Sequence, residues 1–386
     1  MPELLPDDHA AATLVARVWN PAVDGPSVCV ARNGSLFDIT SADAPTMRDL
    51  LEMEDPGAYA HSSSGKLIGA VEEIARQSLA AAGRAEGIHF LAPNDLQAVK
   101  ACGVTFAKSM IERVIEEKAA GDAALADSIR ERCNKIIGEK LSDLKAGSPE
   151  AAAVKAELIK AGMWSQYLEV GIGPDAEVFS KAQPMASVGW GAWVGLHPIS
   201  RWNNPEPEIV LAVNSRGEVK GAAIGNDVNL RDVEGRSALL LGKAKDNNAS
   251  CAIGPFIRLF DEHYSIDDVR SADLSLRVAG ADGFVLEGKS TMREISRDPL
   301  DLVKQTCGRH HQYPDGFMLF MGTLFAPTED RDQPGGGFTH KIGDNVTISS
   351  DRLGSLFNIV KLSTECPPWT FGTSALMRNL AQRNLI

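Results

Sequence analysis

The chain has 386 residues, of which 44% are hydrophobic and 23% charged, and its formal net charge is −12. Length and composition are those of a soluble globular protein of two domains, or of one large domain with an appendage. The negative charge argues against nucleic acid or an anionic membrane as a partner. No run approaches the roughly 20 apolar residues of a membrane span. The opening "MPELLPDDHAAATL" has early acids and no basic n-region, so no secretory leader is expected. Six cysteines, never closer than 31 residues, exclude CxxC zinc and redox motifs and read as the reduced thiols of a cytoplasmic protein.

In chain order, residues 12–40 carry a β pattern, and "VCVARNGSLFDIT" reads as a hairpin whose Asn33-Gly34 pair supplies the positive-φ turn. Two helices are expected next, one near "APTMRDLLEM" and one over "SGKLIGAVEEIARQSLAAA". A boundary near residue 90 divides a head domain, 1–90, from a body, 91–386. The body begins with a helical insertion at about 106–161, where "SPE" makes a helix start. Beyond residue 165, short strands alternate with Gly, Pro and Asn.

The stretch "NNPEPEIVLAVNSRGEVKGAAIGNDVNLRD" poses a physical question. Side chains along a strand alternate faces, so Glu206 and Glu208 point the same way once pairing starts at Pro207. The turn "NSRG" returns the chain to Asp227, beside the two glutamates. Either these carboxylates end an exposed strand in water, or a cation sits between them. With no Cys or clustered His nearby, the set suits a hard cation, Mg²⁺ or Mn²⁺. Lys243 and Lys245 follow, and read either as surface lysines or as a lysine working beside the metal.

The order Phe179-x-Lys181, Glu206-x-Glu208, Asp227 in "GNDVNLRD", Lys245, Gly254-Pro255 and Gly322-Thr323 resembles the fumarylacetoacetate hydrolase superfamily. The resemblance covers residues 95–386, and the head fits that family's small N-terminal domain. It implies an α+β protein: a small N-terminal α/β domain and a larger body of mixed β-sandwich or roll. It further implies that Glu206, Glu208 and Asp227 hold Mg²⁺, or Mn²⁺. Lys245 matches the active-site lysine, with Lys243 as the alternative if the local alignment slips by two. Thr323 matches the threonine that helps hold a substrate carboxylate, and Lys181 and Ser187 lie on a segment bordering the same pocket.

Two departures from the hydrolase pattern matter. Where hydrolases carry "GxNYxxHxxE", this chain reads "GVTFAKSMIE", keeping Gly103 and Glu112 but placing Ser109 where the histidine stands. A serine hydroxyl is too weak a base to activate water there. Glu234, in "RDVEG", replaces a glutamine common in hydrolases. The stretches "WNNPEPE", "EGRSALLLGKAKDNNASCAIGPF" and "HQYPDGF" resemble the sugar-acid branch of the superfamily, the 2-keto-3-deoxypentonate dehydratases. That resemblance implies Mg²⁺-dependent dehydration of 2-keto-3-deoxypentonate to 2,5-dioxopentanoate, with Lys245, Glu112 and Glu234 handling protons and Ser109 facing substrate. The alternatives are a C–C hydrolase of an acylpyruvate or diketo-deoxy sugar acid, and a non-catalytic sugar-acid binder. The expected partner is the small sugar acid alone, in a homodimer or homotetramer. His310-His311 points to opposite sides of a strand, and "PGGGFTHK" lacks the ending of a P-loop. Neither is taken as a site.

Overall fold

The structure is a computed structural model describing residues 3–84, 86–106, 110, 114, 144–323, 327, 329–332 and 337–386. The expected Asn33-Gly34 hairpin is present: Gly25–Arg32 pairs antiparallel with Ser35–Asp38, and both turn residues take positive φ, 50° and 73°. Met47–Glu52 is helical, capped by the Thr46 side chain on Asp49 N. The second expected helix is shorter than its sequence suggests. Lys66–Ala70 is a strand on Ser35–Asp38, and only Val71–Ala81 is helical. Pairing with a neighbour 30 residues away overrides the helical reading of "KLIGA" there. Helix Pro149–Lys160 starts as expected, with the Ser148 hydroxyl accepting from Ala151 N. Most of the insertion to which it belongs lies outside the described residues.

The larger sheet runs in the order Lys66–Ala70, Ser35–Asp38, Gly25–Arg32, Leu14–Asn20, Ile257–Leu259, Val219–Asp227, Pro207–Val213, Phe317–Phe320, Ala98–Gly103, Glu177–Ala182. His89–Leu91 pairs with Leu14–Asn20, and Cys251–Ile253 with Val219–Asp227. The sheet runs without a break from the N-terminal strands to those that follow in the chain, joined at Leu14↔Arg258. A second sheet, Val285–Thr291, Asp273–Ala279, Asn345–Ser350, Gly354–Leu362 and Trp193–Leu196, packs against it across a shared core. The chain is therefore a mixed helix-and-sheet protein, as expected.

Pro207–Val213 is central to the larger sheet, with Val219–Asp227 on one side and Phe317–Phe320 on the other. Each of its residues is buried, which explains the near-continuous apolar run "IVLAV". The turn at "NSRG" closes as the Gly217 N–H donates to Asn214 O, with Gly217 at φ 77°. Register then sets Gly225 opposite Glu208, and the Asp227 N–H donates to Glu206 O. The three carboxylates meet at the open end of this hairpin.

Candidate active site

Glu206, Glu208 and Asp227 are 3%, 1% and 1% exposed, and their nearest carboxylate oxygens lie within 4.8 Å of one another. The solvated strand end is thereby excluded; these charges are buried and must be compensated. Two buried ammoniums do part of that work. Lys245 Nζ donates to Glu206 Oε2 at 2.5 Å and to Asp227 Oδ2 at 2.9 Å, and its charge faces the Phe179 ring at 5.7 Å. Lys181 Nζ lies 2.8 Å from Asp227 Oδ1.

Burial opposes the charge on Lys245, but Asp227, Glu206 and Glu234 outweigh it and hold the ammonium above the ordinary lysine range. With the carboxylates to itself, Lys245 is held as a cation. Glu208 is left with the Gly322 N–H, at 2.8 Å. Burial first, then the charges of Asp227 and Glu206, push its carboxyl well above the ordinary range. As ionised groups the three carboxylates would outnumber the two ammoniums by one, and burial with that excess is what pushes the Glu208 carboxyl up. An all-oxygen donor set with that excess fits a hard divalent cation such as Mg²⁺ or Mn²⁺.

A cavity of about 40 Å³ opens on the three carboxylates, and Cys102, Thr105, Glu177, Glu234, Lys245 and Thr323 line it. Lys245 is thus placed at the site, while the alternative, Lys243, is exposed and faces His197 Nε2 at 3.3 Å. Thr323 follows Gly322, whose φ of 97° and 2.0 Å approach of an added Cβ to Thr105 Oγ1 admit no side chain. Glu234, half-buried on the short helix Arg231–Glu234, reaches the cavity rim. Burial, then Glu208 and Glu177, push the Cys102 thiol up, so it stays neutral and is no nucleophile.

Two placements correct the expectation of substrate contact. Lys181 is fully buried and does not line the cavity. Its ammonium is consumed by Asp227, Val228 O and Lys245 O, so it braces a ligand carboxylate and the end of the lysine-bearing helix. Ser187 lines a different cavity, with its Oγ 3.4 Å from Cys251 Sγ. Ser109 and Glu112 lie outside the described residues.

The structure also supplies residues that the sequence reading passed over. The buried Asn229 amide donates to Glu206 Oε1 at 3.0 Å and to Glu234 Oε2 at 2.7 Å, tying a central carboxylate to a rim one. Glu177 lies across Gly103, where an added Cβ would meet its Oε2 at 1.9 Å. Glu177 and Glu234 both line the main cavity and a neighbouring one of about 110 Å³. The period-two spacing Glu177, Phe179, Lys181 was the available signal, since it puts all three on one strand face.

No protein-family profile matches the chain. Among the chains of solved structures that match, 2-keto-3-deoxy-D-arabinonate dehydratase complexed with magnesium and 2,5-dioxopentanoate superposes with a TM-score of 0.61. It is 22% identical, over 90% of this chain and 99% of that one. A fumarylacetoacetate hydrolase from Exiguobacterium antarcticum superposes with a TM-score of 0.54 at 15% identity, over 91% and 99%. The fold is that of the fumarylacetoacetate hydrolases. Within that fold, the chain is 27% identical over 256 residues to a probable 2-keto-3-deoxyxylonate dehydratase of Haloferax volcanii, covering 66% of this chain and 84% of that one. It is 31% identical over 185 residues to 2-dehydro-3-deoxy-D-arabinonate dehydratase of Saccharolobus solfataricus, covering 48% and 58%.

Proposed function

We propose that this protein is a Mg²⁺-dependent dehydratase that converts 2-keto-3-deoxypentonate to 2,5-dioxopentanoate. The observation that carries the reading is the convergence of Glu206, Glu208, Asp227 and Lys245 on one small cavity. The sequence relation to two sugar-acid dehydratases supports the substrate class. Held by the three carboxylates, Mg²⁺ would supply Lewis acidity toward a 2-keto carboxylate.

The chain's own groups then divide the remaining work. A proton leaves C3 and the C4 hydroxyl departs, protonated, as water. The double bond then migrates toward C5 and the resulting enol tautomerises to the aldehyde, so the net change is loss of one water. Glu234 and Glu177 stand on the cavity wall where a proton can be taken from one carbon and returned to the leaving oxygen. Glu112 is the third candidate for this role. Lys245 opposes negative charge as it develops, and Lys181 fixes Asp227 without touching substrate. Thr323 and Ser109 are assigned to the substrate by resemblance.

We further read residues 1–90 and 91–386 as head and catalytic body, and the protein as a cytoplasmic homodimer or homotetramer. The acidic composition and the unbridged cysteines among the described residues support the compartment. No helix among the described residues is long and apolar enough to cross a membrane. The test is a proton NMR time course with Mg²⁺ and both C4 epimers of 2-keto-3-deoxypentonate, with an acylpyruvate run in parallel. Appearance of 2,5-dioxopentanoate is the expected result. Pyruvate from the acylpyruvate, with both sugar acids untouched, would replace the dehydratase by a C–C hydrolase.

A further inference from the structure

A cavity of about 340 Å³ lies apart from the carboxylate cavity and shares none of its lining residues. That volume falls within the range of small-molecule sites, roughly 300–1,000 Å³. Strand residues Arg17 and Trp19, segment 185–189 and the C-terminal segment 367–371 wall it. Its aromatic side is formed by Trp19, Phe90, Trp369 and Phe371, with Trp19 and Phe371 in an edge contact at 5.2 Å. Trp369 is 47% exposed, a large indole held open at the wall.

The charge of this lining stands against that of the whole chain. In a protein of net charge −12, no Asp or Glu among the described residues lines the cavity, while Arg17 and Arg84 do. Arg17 is spoken for by Ala92 O, Asn94 O and Asp95. His89 is pushed down by burial and stays neutral. Arg84 is half-buried, its guanidinium 5.1 Å from the Trp193 ring and one Nη on Ala81 O, which leaves it the cation of the wall. Asp246 lines an adjoining cavity of about 510 Å³, which shares Ala186, Asn248, Pro368 and Trp369.

We propose that this cavity is a second binding site, for a small organic anion with a flat apolar body. The body packs between Trp19 and Trp369, and the anionic group meets Arg84. Stacking on exposed indole and one charge-assisted hydrogen bond are the recognition such a lining offers.

Two short routes lead from this site to the carboxylates. Ser187, on its wall, contacts Cys251, which pairs directly with Asp227. Asn248, also on its wall, lies three residues beyond Lys245 and donates to Ser363 O at 3.0 Å and Pro367 O at 3.3 Å. An occupant that shifts 367–371 therefore pulls on the loop that ends the lysine-bearing helix. This coupling rests on the active-site reading above; the binding site itself does not.

The probe is 8-anilinonaphthalene-1-sulfonate, an aromatic sulfonate whose fluorescence rises on binding and which accepts energy from tryptophan. The expected result is saturable binding at one site per chain. Arg84→Gln should weaken it about tenfold, the worth of one charge-assisted hydrogen bond. Trp369→Ala, at an exposed position, should weaken it as well and remove part of the energy transfer, while circular dichroism stays unchanged in both variants. Binding that does not saturate, or that both variants leave unaltered, overturns the proposal. So does one-to-one binding that disappears as the chain associates at higher concentration, since a second copy would then be the occupant. With the dehydratase assay in hand, saturating probe should change kcat. Unchanged kcat with intact binding removes the coupling and keeps the site.

Discussion

Glu208 and Asp344 are each 1% exposed, one in the carboxylate hairpin and one at the corner that leads into Asn345–Ser350. Their surroundings treat them oppositely. Asp344 accepts from Arg331 at 2.6 and 2.7 Å, from His340 at 3.0 Å and from Lys341 N at 2.9 Å. Although burial pulls the other way, these partners hold its carboxyl down at about 2. Burial and two like charges push the Glu208 carboxyl up, against only the Lys245 charge and one backbone N–H. Depth alone decides neither outcome; the count of opposing charges does. A closed network such as that of Asp344 is architecture, and an open one such as that of Glu208 is a place for a cation.

The largest effect expected from this contrast is on turnover. Glu206→Gln should lower Mg²⁺-dependent activity by more than about a hundredfold, beyond what supporting residues contribute, with the circular dichroism spectrum unchanged. Full activity in that variant would remove the metal assignment. Next comes Lys181→Met, which strands Asp227 without its second cation. Urea unfolding should show a loss of about 3–5 kcal/mol, the usual cost of breaking a buried pair from one side.

Glu208→Gln and Asp344→Asn, compared in chelator at pH 7, should move stability in opposite directions. Glu208 has a raised folded pKa, so its ionisation penalises the fold increasingly as pH climbs above the unfolded value, and the amide relieves that. Asp344 has a lowered one, so its contribution is present above the unfolded value, near 4, and is lost as pH falls through about 2. The shift from 3.8 to about 2 corresponds to about 2 kcal/mol. Wild-type protein should shed that amount in acid titrations of unfolding free energy, and Asp344→Asn should show a flatter acid limb. Equal signs for the two variants would break the comparison. Smallest of all, Arg277→Ala, which removes an exposed cross-strand pair with Glu287 at 3.4 Å, should change stability by less than about 1 kcal/mol.

Local chemistry explains which parts were readable beforehand. Asn33-Gly34 states its own turn, because positive φ at two successive residues calls for these types. Glu206, Glu208 and Asp227 were legible as a cluster because period-two alternation and one tight turn fix their relation within 22 residues. Lys66–Ala70 was not, since its pairing with Ser35–Asp38 is decided by a neighbour that its own pattern does not name. Asn229 joins the site through side-chain bonds to Glu206 and Glu234 that its local sequence does not announce, whereas Glu177 was signalled only by its period-two spacing from Phe179 and Lys181. Lys181 and Ser187 were read from resemblance as facing substrate. Asp227 and two carbonyls occupy the Lys181 ammonium, and Ser187 faces Cys251 from the wall of a different cavity.

The unbroken sheet has a consequence for how this protein is made. Leu14 pairs with Arg258, and the Arg258 guanidinium holds Asp8 through two hydrogen bonds, at 2.6 and 2.7 Å. During synthesis, the first strand leaves the ribosome long before its partner exists. At about 5–20 residues per second, the delay across those 244 positions is roughly 12–50 s. The N-terminal strands must spend that interval as a partial sheet with one raw edge, the kind of edge that recruits other chains. Vectorial emergence thus sets a window of exposure at Leu14 and Val15, the part of that edge that His89–Leu91 does not pair with, closed only when Ile257–Leu259 arrives.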